Sequence, residues 1–192
     1  MAIETGYKDL LLNKNPEILI DWFDEFLGEN EFKFLSNFYT GSPFTWKNDI
    51  WKTSEHAYAA MKSDNYADFK AIRDCDTPDE AKYIGRNIEV REDWEEIKYS
   101  VMHSIVLAKF TSGVNGIGDK LLSTGNAYLQ EGTFWNDKVW GVDLIESEHP
   151  DRPMARKGNN WLGIILMDVR SRLKYWRNPI HIISDANWTS KR

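Results

Sequence analysis

The sequence predicts a single compact α+β domain, predominantly helical, with short strands near the N-terminal third. Three observations carry this. Residues 93–110 and 159–173 repeat apolar side chains at helical spacing. Residues 32–52 scatter aromatics around Gly41 and Pro43, the texture of loops and short strands. A chain of 192 residues, 42% of them hydrophobic, suffices for one real core with short extensions.

The elements follow in order. Asn15 and Pro16 read as an N-cap and first helical position, and Gly28 as a stop, so "PEILIDWFDEFLG" is expected to be a helix; "ILIDWF" is also readable as a strand. Short strands are expected around "FTW" and "DIW". In "KTSEHAYAAMK", Thr53 or Ser54 caps a helix running from Thr53 to Lys62. "DTPDEAKYIG" combines a cap at Thr77, Pro78 at the first position and Gly85 as the stop. "DWEEIKYSVMHSIVLAKF" is the strongest helix, with Asp93 as its cap and Trp94, Ile97, Val101, Ile105 and Ala108 on one face. "GDKLLSTG" is a short helix closed by Gly125. From Ala127 to Gly158 no period survives, and an irregular segment of that length is usually functional or disordered; its tryptophans favour function. "NNWLGIILMDVRSRL" is the last helix, with Leu162, Ile165, Leu166, Val169 and Leu173 as its core stripe.

Composition narrows the function. The net charge of −6 argues against non-specific nucleic-acid binding, which needs a basic field, but leaves open action on one modified nucleotide within DNA or RNA. Cys75 is the only cysteine, so no internal disulfide and no Cys-rich zinc site can form, which fits a cytoplasmic, reducing compartment. "MAIETGYKDLLLNKN" lacks the pattern of a signal peptide, and "WLGIILM" is far too short to span a membrane, so no membrane association is expected. His56, His103, His149 and His181 have no metal-ligand spacing, and "GVNGIGDK" lacks dinucleotide-binding spacing. Neither a metal nor another cofactor is expected. The oligomeric state is not legible.

One constellation stands out. On a helix, Glu55 and Lys62 lie two turns apart on one face, with Tyr58 and Ala59 between them. Such a stripe is either solvated surface or the wall of a pocket. Trp94 is either core packing or a ring platform for a base. Arg156 to Asn160 precede a helix whose backbone N–H groups either bind phosphate or are ordinarily capped.

Four segments in this order resemble the YbiA-like, or NADAR, family: "FLSNFY", "TSEHAYAAMK", "DWEEIKYSVMHSIVLAKF" and "LLSTGNAYLQEGTFWNDKVWGVD…GNNWLGIILMDVR". The resemblance covers roughly Phe32 to Leu173. It implies an N-terminal extension at 1–31, a catalytic domain at 32–173 and a C-terminal tail at 174–192. Members resemble hydrolases of N-glycosidic bonds at a ribose, acting on riboflavin-pathway ribosylamines or on ADP-ribose attached to guanine. The family's acid in its "SEH" block falls on Glu55 and its lysine on Lys62. The acid after its "WG" falls on Asp143, one residue further from the glycine than in the tightest form of the motif. Asn37, Phe38, Trp94, Trp140, Gly141 and Asn160 are implied as substrate-binding. The substrate implied is a nucleotide carrying an ADP-ribose or phosphoribosyl group.

The chemistry is coherent on physical grounds. Cleaving a base from C1 of ribose builds positive charge on the ring, which a carboxylate stabilises. Glu55 at a helix N-terminus is expected to stay ionised. Lys62 is expected to act as a cation on a phosphate or leaving group, in preference to attack on C1 as an amine, which requires burial. A binding module that reads such a nucleotide without turnover is the competing class, and the acid separates the two: a reader gains nothing from a carboxylate beside an anionic ligand.

Overall fold

The two strongest helical patterns fold as their spacing requires, and the rest of the domain is arranged around them. The computed structural model describes residues 31–143 and 156–177 and the backbone of residues 17–20. In chain order the elements are β1 (Glu17–Ile20), β2 (Phe44–Trp46), β3 (Asp49–Trp51), α1 (Ser54–Ala60), α2 (Tyr66–Asp74), α3 (Pro78–Asn87), α4 (Trp94–Ser112), α5 (Ile117–Ser123), β4 (Tyr128–Thr133), β5 (Val142–Asp143) and α6 (Trp161–Arg177). A mixed, mainly helical architecture is thus observed. In α6 the stripe Leu162, Ile165, Leu166, Val169 and Leu173 is buried throughout. In α4 the buried side is rotated toward Met102, Ile105, Val106, Lys109 and Phe110, with Ile97, Val101 and Ala108 along its border.

Local signals set most helix ends. Thr53 caps α1 by accepting from the His56 N–H, and Thr77 caps α3 by accepting from Glu80, with Pro78 in the first turn. Three expectations are corrected. Asp93 makes no side-chain cap; its carboxylate accepts from Arg91 instead. Gly85 does not end α3 but lies inside it, where an added Cβ would come within 2.8 Å of the Ala59 Cβ. That glycine lets α3 lie directly against α1. Residues 17–20, read first as a helix with a strand over "ILIDWF" as the alternative, form strand β1, because backbone pairing with β4 outweighs the local cap signals. The remainder of that segment, including Asn15, Pro16 and Gly28, lies outside the described residues.

The strands form two small sheets. β2 and β3 make an antiparallel hairpin across Lys47 (φ 50) and Asn48 (φ 67), the two positive φ values of a type I′ turn. β4 is the centre of a three-stranded sheet, parallel to β1 on one side and to β5 on the other. It falls inside the segment whose period had dissolved. The cause is visible in its burial: of its residues only Glu131 is not buried, so no polar face marks alternate positions. α6 packs on β4 and α4, and α1 packs on α2, α3 and α4.

Leu166 is fully buried at the middle of the α6 stripe. Leu166→Ala is expected to destabilise the domain by about 2–5 kcal/mol in denaturant unfolding, the range for emptying a buried leucine site. A change within the roughly 0.5 kcal/mol typical of surface substitutions would show that the core does not depend on it.

Candidate active site

Helix α1 has no solvated stripe. All seven of its residues are buried, and Glu55 is only 8% exposed. The Glu55 N–H donates to the Asn37 carbonyl at 3.0 Å, which ties the start of α1 to the "FLSNFY" loop. His56 faces away from that loop: its Nδ1 pairs with the Thr53 hydroxyl at 2.8 Å and its Nε2 with the Cys75 carbonyl at 3.3 Å. Both ring nitrogens are spent on structure, and burial holds the imidazole below its ordinary pKa. The helix ends at Ala60, with Met61 as its C-cap, so Lys62 sits in the turn beyond it instead of on its last turn.

Glu55 opens onto a cleft of about 190 Å³. Its acids are Glu55, Glu131 and Asp137, and its bases Lys62, Lys82 and Arg86. Lys82 and Arg86 are one turn apart on α3 and reach the cleft because Gly85 brings that helix onto α1. The Lys62 ammonium donates to the Gly85 carbonyl at 3.3 Å and lies 5.6 Å from the Tyr58 ring. Lys82 lies 5.0 Å from the Phe38 ring and 5.6 Å from the Trp135 ring, so both rings meet the cation at the wall. Asn37 Oδ1 is buried and has no hydrogen-bond partner among the described residues, while its amide nitrogen points at Met102 Sδ, 3.6 Å away.

Burial governs the ionisation of the site. Desolvation pushes the Glu55 carboxyl above its ordinary value, against the pull of Lys82, Lys62 and Arg86 and with a further push from Asp137. The helix end that was expected to favour the ionised form of Glu55 is thus opposed by loss of water, which favours the neutral carboxyl. Desolvation likewise lowers Lys62, against the pull of Glu55. The Tyr58 phenol is driven up by burial and by Glu55, and its ring meets the Trp140 ring edge-on with centroids 5.3 Å apart.

Of the residues singled out in the sequence, Asn37, Phe38, Glu55, Lys62 and Trp140 line one cleft. The other four do not line it. Trp94 is buried behind Tyr58, ring to ring at 4.9 Å. Asp143 is buried in β5, its N–H donating to the Lys157 carbonyl at 2.7 Å. Gly141 is a close-approach glycine: a Cβ there would meet the Glu131 carbonyl at 2.6 Å and Glu131 Cγ at 3.0 Å. Asn160 is wholly buried, accepting from the Glu131 N–H at 3.0 Å and donating to the Leu129 carbonyl at 2.9 Å. The phosphate-cradle reading of Arg156 to Asn160 also fails, because the N–H groups of Asn159, Asn160, Trp161 and Leu162 already donate to carbonyls of Lys138, Gly141, Val139 and Trp140.

Sequence reasoning missed Lys82, Arg86 and Glu131. The first two were legible as an i, i+4 basic pair on a helix, but nothing local said which way it faced. Lys109 was missed as well. It is 1% exposed, donates to the Ser36 carbonyl at 2.7 Å, and burial lowers its pKa to about 7. Its place in the series Met102, Ile105, Val106, Lys109 on α4 was the available signal. Among the described residues no group of three or more His, Cys, Asp or Glu side chains is placed to hold a metal ion, and no helix is long and apolar enough to cross a membrane.

The sequence and the fold both have counterparts among known proteins. The chain belongs to the NADAR domain family, which matches residues 25–174. It is 33% identical over 133 residues to an N-glycosidase of Nostoc punctiforme, covering 67% of this chain and 78% of the relative. It is 33% identical over 141 residues to the N-glycosidase YbiA of Escherichia coli, covering 72% of this chain and 80% of the relative. The solved structure of E. coli YbiA superimposes with a TM-score of 0.68 at 29% identity, covering 85% of this chain and 88% of that one. A riboflavin biosynthesis protein of Vibrio vulnificus is 33% identical over 143 residues, which is 73% of this chain but 35% of that longer protein.

The raised Glu55 has a consequence for stability. Because the folded protein holds this proton more tightly than the unfolded chain, the contribution of Glu55 is fully present below its ordinary value of 4.5 and is lost as pH rises through the folded pKa. Glu55→Gln keeps the shape and removes the buried charge. It is expected to raise the thermal midpoint at pH 7 and to change it little at pH 4. An unchanged or lowered midpoint at pH 7 would show that the neighbouring cations fully compensate the desolvated carboxylate.

Proposed function

We propose that the protein hydrolyses an N-glycosidic bond at C1 of a ribose, releasing ADP-ribose from guanine bases of a nucleotide or nucleic acid. The protein is a hydrolase of the N-glycosidase type. One observation carries the reading: Glu55 is buried in the same cleft as Lys62, and both pKa values are displaced by that burial. Acid–base groups with perturbed values gathered in one cleft are what proton transfer at neutral pH requires. A module that only reads an anionic nucleotide gains nothing from a desolvated carboxyl beside it. Lys62, Lys82 and Arg86 suit a pyrophosphate, and Phe38 and Trp135 suit a flat base.

In this reading Glu55 passes a proton to the nitrogen of the leaving base as the C1–N bond breaks and its electron pair departs with the base. The carboxylate left behind then faces the oxocarbenium-like ribose and stabilises it, in a site where low water content strengthens its field. Asn37 Oδ1, buried and without a partner among the described residues, offers an acceptor to a ribose hydroxyl or to the base. Lys62 acts as a cation on the phosphate or leaving group.

Two second readings each have an observation behind them. The Vibrio relative's name favours a ribosylaminopyrimidine phosphate of riboflavin biosynthesis as the substrate. The burial of Lys62 favours an amine that attacks C1, displaces the base and opens the ribose to a Schiff base.

Incubation with ADP-ribosylated guanosine, free and within DNA or RNA, and with a ribosylaminopyrimidine phosphate, followed by mass spectrometry of the products, tests the substrate. Glu55→Gln is expected to lower turnover by about a hundredfold or more, with ligand affinity nearly unchanged. Equal activity of the variant and the wild type on every substrate cleaved would remove Glu55 from the mechanism.

Lys62→Arg keeps the charge but cannot form a Schiff base. A cationic Lys62 predicts measurable residual activity in this variant. An inactive variant, with borohydride trapping the wild type on its substrate at Lys62, would establish the amine role instead.

A further inference from the structure

Hydrolysis moves two protons, and Glu55 accounts for one of them. The leaving base gains a proton, while the water that adds to C1 must lose one. That proton either returns to the Glu55 carboxylate or passes to a second acceptor, and the cleft holds two further carboxylates. Asp137 is committed: its Oδ1 accepts from the N–H groups of Val139 and Trp140, at 3.1 and 3.0 Å, and so holds the turn that carries Trp140. Glu131 is different. It enters the cleft from β4, an element separate from the helix that carries Glu55.

The surroundings of Glu131 are built around it. Its N–H donates to the fully buried Asn160 side chain, which is tied in turn to the Leu129 carbonyl on the same strand. Gly141 leaves the space into which Glu131 Cγ fits, since a Cβ there would come within 3.0 Å of it. The two residues that the sequence offered as substrate contacts thus fix the strand and side chain of this acid. The buried Lys109 ammonium is bonded to the carbonyl of Ser36, a residue of the cleft wall, and Glu131 is the charged group whose field favours the protonated amine there. Two carboxyls thus enter one cleft from separate elements, Glu55 from α1 and Glu131 from β4.

We propose that Glu131 is a second catalytic carboxylate, the base that takes the proton from the water adding to C1 of the ribose. The water oxygen bonds to C1 and its proton passes to Glu131. The C1–N bond breaks, its electron pair leaves with the base, and the base nitrogen takes the proton of Glu55. Glu131 ends protonated and Glu55 ionised, and exchange with solvent resets both. No oxidant, reductant or other co-reactant enters. The step rests on the N-glycosidase reading above.

The test uses the full chain with ADP-ribosylated guanosine and with a ribosylaminopyrimidine phosphate as probes. Glu131→Gln preserves volume and is expected to lower kcat by about a hundredfold or more, the usual scale for losing a general base, with KM little changed. Glu131→Asp, one methylene shorter and still charged, is the folding control and is expected to retain more activity than Gln. In Glu131→Ala, added formate supplies a small carboxylate and is expected to restore turnover. Wild-type kcat in Glu131→Gln, or a loss in Glu131→Ala that formate does not restore, overturns the assignment. A wild type that cleaves neither probe overturns the hydrolase reading, and this step with it. Cleavage impaired by Glu55→Gln but intact in Glu131→Gln overturns this step alone.

Discussion

The complete burial of one short helix, Ser54–Ala60, is the constraint from which the rest of the site follows. A helix of seven residues has little stability of its own and is held by what packs around it. Here the neighbours approach closely. Ala57, Ala59 and Ala60 present no bulk, and Gly85 lets α3 press its backbone against Ala59. That contact carries Lys82 and Arg86 to the mouth of the cleft, and the Lys62 ammonium reaches the carbonyl of the same glycine. Packing and electrostatics are one arrangement: the contact that strips water from Glu55 also delivers the cations that limit the cost of doing so.

A second constraint operates at the junction of β4 with the start of α6. The first N–H groups of a helix need partners, and in α6 they find them in the carbonyls of residues 138–141. Asn160, at φ 54, turns the chain there and sends its amide back to β4. The loop carrying Trp140, the strand carrying Glu131 and the helix carrying Leu162 are thereby locked together. All three of those residues face the cleft. This explains how residues that never touch the cleft, Gly141 and Asn160, can still be decisive for it.

The charged groups around the cleft differ in how far they are shielded from water. Lys109 is 1% exposed and bonded to a carbonyl of the "FLSNFY" loop. Glu55 and Lys62 are partly stripped of water, and Lys82 sits against aromatic faces at the wall. Such an arrangement stores electrostatic energy in the folded state, since each buried ion opposes folding unless a partner offsets it. Sites that must exchange protons at neutral pH accept that cost, because a carboxyl in water ionises too readily to serve as a donor.

Much of this protein was legible in one dimension. Helical spacing located α4 and α6 and named the α6 core stripe, because a buried helix face writes a 3.6-residue period into the sequence. Caps at Thr53 and Thr77 were readable because a cap is a local hydrogen bond. The order of the four motif blocks pointed to the family and to Glu55 and Lys62. Strand β4 was not readable: buried on both faces, it carries no alternation. Strand β1 was readable only as an alternative to a helix, because its pairing partner lies more than a hundred residues along the chain. The direction faced by Lys82 and Arg86, the burial of Lys109 and the inward turn of Glu131 depend on which elements pack together, and no local pattern records that. The sequence by itself determined the helices, their caps and the chemical groups available. The tertiary structure alone decided which groups share a cleft and which of them lose their water, because desolvation depends on the whole surrounding volume and not on neighbours along the chain.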